Sequence, residues 1–346
     1  MHLAEHYDDP VEAIVFAEGA LGKTGGKTAN GVIAHSTLFD VSAVVDSTTA
    51  GQAVEDVLGS ELSDDVPIVA TVEAALDEAN NAGALVLGVA PVGGGLPIDW
   101  VPQIHTAIEA GCDVISGLHD FLSDDPEWRE RAASAGVSLI DVRKPPEKKL
   151  RVADGRVDDC DADIVLTMGT DCAVGKRTTT FEVYRAACEG GLDAGWVATG
   201  QTGMMIGADA GVVIDRVPAD FVAGIVEDLV SKVAETHDIV FVEGQAALSH
   251  RAYSGVTLGL LHGSNPDVVI VADDPDRVKR DDFDRFEIGG LQEEIEIIEH
   301  LSEAEVAAIS TWGDAAKVED TVGIPTGNVL KDGGPEAILH GVQGAL

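Results

Sequence analysis

A glycine-rich segment with a lysine holds the residues of this chain best suited to chemistry. It follows the apolar run 164–168 and reads Gly-Thr-Asp-Cys-Ala-Val-Gly-Lys-Arg-Thr over residues 169–178. Backbone N–H groups of such a turn, the N-terminus of a following helix and a lysine ammonium group together bind phosphate. We therefore predict a phosphate-binding loop made of Thr170, Asp171, Cys172, Ala173, Val174, Gly175, Lys176, Arg177 and Thr178.

The segment departs from the standard P-loop pattern G-x-x-x-x-G-K-[ST] at two positions. Thr170 stands where the first glycine is expected, and Arg177 stands where a Ser or Thr normally binds Mg²⁺. The next hydroxyl group belongs to Thr178, one residue beyond the position where the pattern expects it. A hydrolytic NTPase normally needs that metal ligand, whereas an arginine pairs bidentately with phosphate. The loop is therefore predicted to hold phosphates without hydrolysing them.

A second group of polar residues follows the predicted strand 238–242. Glu243, directly after it, is a candidate general base, and His250 is the other candidate for that role. The alternative is an acid that caps the next helix, with the other residues on a surface loop. The side chains predicted to bind a polar substrate are Gln201 and Thr202, which follow the predicted strand 194–199, together with Gln245, Arg251 and Tyr253.

Residues 22–28 form another glycine-rich turn with two Gly-Lys-Thr triplets, which contain Lys23 and Lys27. Ala17 and Leu21 stand where a P-loop would have its first glycine. The segment fits equally a flexible turn that leads into a helix cap and a loop that binds a polar ligand.

The four cysteines have no spacing typical of a zinc site, so we predict no metal site. Small buried apolar residues are the simplest interpretation for them. Cys172 differs because it lies in the predicted phosphate loop, where a helix N-terminus would lower the pKa of its thiol.

Strands that alternate with helices predict an α/β fold with parallel sheets. The Pro-rich, basic segment 143–150 is the predicted linker, which gives an N-terminal domain at 1–150 and a C-terminal domain at 151–346. Sites in such sheets lie beyond the carboxyl ends of the strands, where the polar groups described above fall.

The composition limits the possible partners. The chain has 61 acidic and 22 basic residues, for a net charge of −39 spread along its length. Such self-repulsion is tolerated when salt screens it, which predicts a salt-adapted organism, and it argues against nucleic acid as a partner. Without a long apolar run or a signal-peptide core, we expect a soluble cytoplasmic protein. We also expect homo-oligomers, because proteins of this acidity in high salt commonly assemble.

Several longer motifs resemble one protein family along nearly the whole chain. They lie at residues 27–31, 45–47, 117–126, 200–203, 242–245 and 253–264. On these motifs the chain is identified as a member of the D-glutamate N-acetyltransferase family, long described as uncharacterised P-loop NTPase-like proteins. The resemblance implies a Rossmann-like N-terminal domain and a P-loop NTPase-like C-terminal domain.

The resemblance also implies an activity, in which the acetyl group of acetyl-CoA moves to the amine of D-glutamate during the breakdown of this amino acid. Acetyl-CoA would be a co-substrate with its diphosphate in the loop, and no metal would be required. The two carboxylates of D-glutamate need cations, for which Lys23, Lys27, Arg251 and Arg277 are candidates.

The loop by itself is similar to another family. Its Gly-Thr-Asp before Val-Gly-Lys resembles the phosphate loop of dethiobiotin synthetase. This alternative implies an ATP-dependent ligase that uses Lys176, Thr178 and Glu243 around Mg-ATP. A third interpretation is a non-catalytic nucleotide- or CoA-binding protein.

Overall fold

The computed structural model describes residues 3–7, 9–59, 66–89, 91, 94–281 and 283–346. The chain divides into two compact units. The first comprises Met1–Pro145 together with Gln201–Gly207, and the second comprises Pro146–Gly200 with Ala208–Leu346. The segment Gln201–Gly207 thus belongs to the first unit although it lies within the predicted C-terminal domain.

The first unit alternates strands and helices. The elements are β1 (Val11–Phe16), α1 (Lys27–His35), β2 (Phe39–Val45), α2 (Val54–Leu58), β3 (Ile68–Val69), α3 (Val72–Glu78), β4 (Ala84–Leu87), α4 (Val101–Glu109), β5 (Asp113–Ser116), α5 (Pro126–Ala135) and β6 (Leu139–Asp141).

These strands form a parallel sheet in the order β3-β2-β1-β4-β5-β6. This is the doubly wound order of a Rossmann fold, in which ligands bind beyond the carboxyl ends of the strands. The buried carboxylate of Asp46, just after β2, fixes the loop that follows β1. It accepts hydrogen bonds from the backbone N–H groups of Gly19 (3.1 Å) and Leu21 (3.2 Å).

The second unit has its own sheet. Its elements, with one helix that belongs to the first unit, are β7 (Asp163–Gly169), α6 (Lys176–Glu189), β8 (Ala194–Ala198), α7 (Gln201–Ile206, first unit), β9 (Ala210–Gly211), α8 (Val222–Ala234), β10 (Ile239–Glu243), α9 (Ser254–Ser264), β11 (Val268–Asp273), β12 (Lys279–Arg280), β13 (Phe283–Glu287), α10 (Leu291–Leu301), β14 (Glu305–Thr311), α11 (Ala315–Val322), β15 (Thr326–Gly327) and α12 (Gly334–Ala345).

The strands of this larger sheet run in the order β15-β14-β11-β7-β10-β8-β9 and are all parallel. Alternate residues of β7 enter different apolar clusters: Leu166 packs with residues of α8 and α9, whereas Val165 packs with residues of α6 and α12. Both faces of the sheet are therefore buried, which explains why its strands read as continuous apolar runs. The predicted α/β class with parallel sheets is confirmed.

Two features of the second unit differ from the sequence analysis. The antiparallel hairpin β12–β13 was not predicted. Glu294 on α10 was not singled out either; it is fully buried and accepts hydrogen bonds from the backbone N–H groups of Leu248 and Ser249 (3.2 Å for Ser249). It therefore fixes the segment that leads to His250.

Among the described residues, no helix combines the length and the apolar character needed to cross a bilayer.

Candidate functional site

The predicted phosphate loop joins β7 to α6, as the sequence indicated. The strand ends at Gly169 and the helix begins at Lys176, with Gly175 as its N-cap in the left-handed conformation (φ 95°). Ala173 also has a positive φ, of 51°. A Cβ on Gly169 would lie 2.8 Å from the carbonyl oxygen of Ala272, so the strand can approach β11 this closely only with glycine.

The backbone N–H groups of this loop are available to a ligand. The amide of Thr170 donates to the carbonyl of Ala272 (3.0 Å). Over residues 171–178, in contrast, no backbone N–H donates a hydrogen bond to any group in the described part of the chain. Eight consecutive donors without a protein acceptor form the kind of nest that binds an anion.

The carbonyl groups of the same loop face cationic side chains. Arg280 donates to the carbonyl of Thr170, Lys176 to that of Asp171, and Arg277 to those of Cys172 (2.9 Å) and Ala173 (3.3 Å). Because the N–H and C=O of a planar trans peptide point in opposite directions, these contacts hold the N–H groups on the other side of the loop.

The side chain of Asp171 belongs to the support of the loop. Its carboxylate is fully buried and lies 3.3 Å from Nη1 of Arg280 and 3.6 Å from Nη1 of Arg277. It also accepts a hydrogen bond from the backbone N–H of Asp281 (2.9 Å). Asp171 can therefore offer a ligand its amide but not its carboxylate.

Two cations lie at the start of α6. Lys176 is buried, and this burial lowers the pKa of its ammonium group to about 8. Burial also lowers the pKa of Arg177, although the negative charges of Glu243 and Glu182 act to raise it. The guanidinium of Arg177 makes no hydrogen bond or salt bridge with the described residues. A partly buried guanidinium without such a partner is suited to an anionic ligand.

The lowered pKa expected for the Cys172 thiol is not found. Burial raises the pKa of its thiol, and although Lys176 opposes this effect, the pKa remains above its usual value. A nucleophilic thiolate is therefore not favoured at this position.

Glu243 ends β10 and is 4% exposed. Its carboxylate accepts a hydrogen bond from the backbone N–H of Thr199 (3.1 Å), and its carbonyl accepts one from the Thr199 hydroxyl (2.7 Å). Gln245 donates to that same hydroxyl (3.0 Å). These contacts orient a buried carboxylate at the carboxyl edge of the sheet, where Arg177 is close enough to interact with its charge.

His250 lies in a different environment. Its ring is fully buried and stacks on Tyr253 with ring centroids 4.9 Å apart, and Phe283 of the hairpin packs edge-on at 5.3 Å. Arg251 lies over the ring of Phe286, 4.9 Å from its centroid. His250, Arg251 and Tyr253, predicted as catalytic or substrate-binding residues, are thus brought together with the hairpin, and the histidine has no accessible surface in this conformation.

The ligand atoms of Asp171, Cys172 and His250 lie within 4.8 Å of one another, which raises the question of a metal. Nδ1 of His250 accepts a hydrogen bond from the backbone N–H of Ala252 (3.2 Å), so in the neutral ring the proton is on Nε2, the nitrogen 3.7 Å from Asp171. A protonated nitrogen cannot ligate a metal. Together with Arg277 and Arg280 beside Asp171, this tautomer does not fit a metal ion here.

The remaining predicted residues lie in the first unit. Lys23 donates to the carbonyl of Gly19 (2.8 Å), while Lys27 is exposed at the start of α1. The hydroxyl of Thr28 is 2.8 Å from that of Thr202 and accepts a hydrogen bond from Gln201 (3.2 Å). The structure therefore brings Gln201 and Thr202 to the start of α1.

Sequence reasoning missed Arg143, which it placed in the linker. This residue is 7% exposed and donates to the carbonyl of Gly117 (2.9 Å) and to the side chain of Gln201 (2.7 Å). It also missed the role of Arg280, and it gave Arg277 to a substrate carboxylate rather than to the loop carbonyls. The available signal was the rarity of basic residues. In so acidic a chain, each Arg or Lys is a candidate for a specific contact with a carboxylate or carbonyl group.

The folds and the loop define a class of protein, one with a Rossmann-like unit and a P-loop unit. Residues 47–145 match the Rossmann-like domain and residues 151–339 the P-loop domain of DUF1611, a family described as a domain of unknown function. The chain belongs to the DUF1611 family. The predicted pairing of a Rossmann-like N-terminal and a P-loop-like C-terminal domain is thereby confirmed.

Individual relatives agree with this assignment. The crystal structure of a DUF1611 family protein from Anabaena variabilis has a TM-score of 0.87 and 32% sequence identity, and the match covers 96% of this chain and 99% of that chain. A curated relative from Pseudoalteromonas sp., named D-glutamate N-acetyltransferase, is 43% identical over 197 residues, or 56% of this chain and 58% of the relative. One from Tritonibacter scottomollicae with the same name is 39% identical over 227 residues, or 64% and 66%. This chain thus spans less than two thirds of the length of either curated relative.

Proposed function

We propose that the chain is an N-acetyltransferase that moves the acetyl group of acetyl-CoA to the amine of D-glutamate. The shared name of the two curated relatives supports this activity. The observation that carries the proposal is Arg177. It stands where a Mg²⁺-binding hydroxyl is expected. Within the described part of the chain, neither its guanidinium nor the eight loop amides beside it have a hydrogen-bonding or salt-bridge partner.

Acetyl-CoA fits such a loop because it carries a diphosphate that must be held but not cleaved. The amides of residues 171–178 would bind the diphosphate oxygens, with Arg177 and Lys176 supplying positive charge. The thioester end of the molecule would then remain free to react. No metal is needed for this arrangement.

The transfer itself needs a base, because the ammonium form of D-glutamate is not nucleophilic. Glu243 would accept the amine proton, and the amine nitrogen would attack the thioester carbonyl. The C–N bond forms, the C–S bond breaks, and the CoA thiolate leaves and takes up a proton. Backbone N–H groups of a glycine-rich turn would stabilise the oxyanion. Glu243 suits the role of base better than His250, which has no accessible surface.

The carboxylates of D-glutamate need cationic or polar partners, and two groups of residues offer them. Lys23, Lys27, Gln201 and Thr202 lie in the first unit, and Gln245, Arg251 and Tyr253 lie in the second. Lys27→Ala and Arg251→Ala discriminate between these groups. The variant whose KM for D-glutamate rises, while its KM for acetyl-CoA does not, identifies the group that binds the amino acid.

We further propose that the enzyme works in the cytoplasm of a salt-adapted organism as a homo-oligomer. The net charge of −39 supports the salt requirement. Light scattering in molar KCl measures the oligomeric state.

Mass spectrometry tests the activity directly. The protein is incubated with acetyl-CoA and D-glutamate in molar KCl, beside L-glutamate and a sample without protein, and N-acetyl-D-glutamate is the expected product. Incubation with Mg-ATP alone is the second arm. ADP without acetylated product would instead support a ligase of the dethiobiotin synthetase type, and tight CoA binding without turnover would support a non-catalytic binding protein.

A further inference from the structure

An exposed tryptophan lies against the phosphate loop. Trp312 directly follows β14, and the turn that holds it is fixed by a hydrogen bond from its backbone N–H to the carbonyl of Asp273 (3.1 Å). A Cβ placed on Gly175 would lie 2.8 Å from Nε1 of the indole and 3.1 Å from Cε2 and Cζ2. One edge of the indole therefore contacts the backbone where α6 begins.

The rest of this indole is unusually open. Trp312 is 41% exposed, while Trp196 is 1% and Trp100 is 9% exposed. Its ring stacks on no other aromatic ring and its N–H has no acceptor within the described ranges. The indole therefore offers a flat apolar face directly beside the phosphate loop, where a ligand bound to the loop would cover it and gain free energy from its burial.

We propose that Trp312 is the stacking surface for the adenine base of the CoA nucleotide. This inference rests on the proposed function, because it requires the diphosphate of CoA to be bound by the amides of residues 171–178. The loop fixes one end of the nucleotide beside Gly175, and the indole lies against that residue. Aromatic side chains bind bases in this way because every base has a flat π-face.

The subsite gives a specificity that the loop alone cannot give. The loop binds phosphate groups of many kinds, whereas an indole surface favours a molecule with a base attached to the diphosphate. CoA and 4′-phosphopantetheine share one phosphate and the pantetheine arm, whereas only CoA carries adenosine and two further phosphates. Substitution of Trp312 should therefore weaken the binding of CoA alone, and its effect on each of the two molecules isolates the contribution of the indole.

Calorimetric titration of the whole 346-residue chain with CoA and with 4′-phosphopantetheine tests this assignment. For Trp312→Ala, the Kd for CoA should rise about 10- to 100-fold, the size expected for loss of base stacking. The Kd for 4′-phosphopantetheine should stay the same. Trp312→Phe, which keeps a smaller ring, should recover part of the CoA affinity. Leu330→Ala, a change at a residue 63% exposed in the same unit, is the control and should bind both molecules normally.

Tryptophan fluorescence gives an independent measurement. Adenine stacked on Trp312 should quench part of the emission when CoA is added, and this quenching should be absent in Trp312→Phe and with 4′-phosphopantetheine. If the wild type binds CoA but Trp312→Ala binds it equally well, or loses both molecules equally, the stacking assignment is overturned and the proposed acetyl transfer is unaffected. A wild type that does not bind CoA overturns both.

Discussion

The charge of Lys176 depends on whether an anion is bound near it. Its ammonium group is buried and its nearest acceptor is the carbonyl of Asp171 in its own loop. In Lys176→Met, which keeps the length of the side chain without its charge, we expect the KM for acetyl-CoA to rise roughly 10- to 100-fold, the size of a lost charge-assisted hydrogen bond. The KM for D-glutamate should change little. Steady-state kinetics with each substrate varied in turn measures both values, and an equal rise in both would contradict the assignment of the loop to CoA.

The lowered pKa of Lys176 predicts a pH dependence for CoA binding. Burial lowers the pKa of the free protein to about 8, and a bound diphosphate raises it again. Between these two values binding takes up a proton, so affinity is highest below the free-state pKa. The Kd for CoA should therefore rise as the pH increases above about 8, approaching tenfold per pH unit. Calorimetry from about pH 7 to about pH 9 measures this slope, and Lys176→Met should lack it. A slope of the same size in the variant would assign the titration to another group.

Glu243 should affect the rate rather than the binding of acetyl-CoA. Glu243→Gln keeps the shape of the side chain and an acceptor for the backbone N–H of Thr199, but the amide cannot take a proton. We expect kcat to fall by about 10² to 10⁴, the usual contribution of a general base, with the KM for acetyl-CoA nearly unchanged. Gln245→Ala, which removes a neighbour of Glu243 without removing the carboxylate, is the control and should lose much less of kcat. A variant Glu243→Gln with normal kcat would exclude this residue as the base.

At the scale of elements, the hairpin β12–β13 supports the phosphate loop from outside the main sheet. Arg280 on β12 is 3% exposed and contacts the carbonyl of Thr170, the carboxylate of Asp171 and the hydroxyl of Ser249 (2.8 Å). In Arg280→Met, the buried carboxylate of Asp171 would lose one of the two guanidinium groups that neutralise its charge. We therefore expect a loss of about 3–5 kcal/mol in the free energy of unfolding. Denaturation by urea measures this loss.

Lys279→Met is the matched control for the hairpin. Lys279 is the neighbouring residue on the same short strand, but it is exposed. Its substitution should change the free energy of unfolding by no more than about 0.5 kcal/mol. If the two variants lost the same amount of stability, the support given by Arg280 to the loop would be refuted.

The main strands could be predicted from the sequence, because a parallel sheet covered on both faces needs continuous apolar runs. The apolar run 164–168 lies within β7, which extends one residue beyond it at each end. The hairpin could not be predicted in this way. Phe283–Glu287 reads Phe-Asp-Arg-Phe-Glu, with no apolar run, and its phenylalanines face the ring of His250 instead of a core between sheets.

Part of the candidate site could be predicted because it directly follows recognisable strands. The loop and Glu243 follow strands that are recognisable from composition, so their positions at the edge of the sheet could be inferred. Arg143 donates to Gln201, which is 58 residues away along the chain, and the carboxylate of Asp171 is contacted by Arg280 and by the backbone N–H of Asp281, which are 109 and 110 residues away. No local pattern encodes such pairs. The membership of Gln201–Gly207 in the first unit likewise depends on contacts such as that between Thr28 and Thr202.

At the scale of the whole molecule, the net charge of −39 should make stability depend on salt. Acidic side chains repel one another across the surface, and the repulsion is greater in the compact folded state than in the extended chain. Raising KCl from about 0.1 M to about 1 M shortens the Debye length from about 10 Å to about 3 Å, which screens most of this repulsion. We therefore expect the unfolding temperature to rise steeply with KCl over this range.

Differential scanning calorimetry across a KCl series measures the effect, with sucrose as the control. Sucrose stabilises folded proteins by exclusion from their surface and does not screen charge. In KCl, screening therefore predicts an unfolding temperature that rises mainly at low salt, where the Debye length changes most. In sucrose, the unfolding temperature should rise gradually. An unfolding temperature that stayed constant or fell as KCl increased would show that the surface carboxylates do not limit the stability of the folded chain.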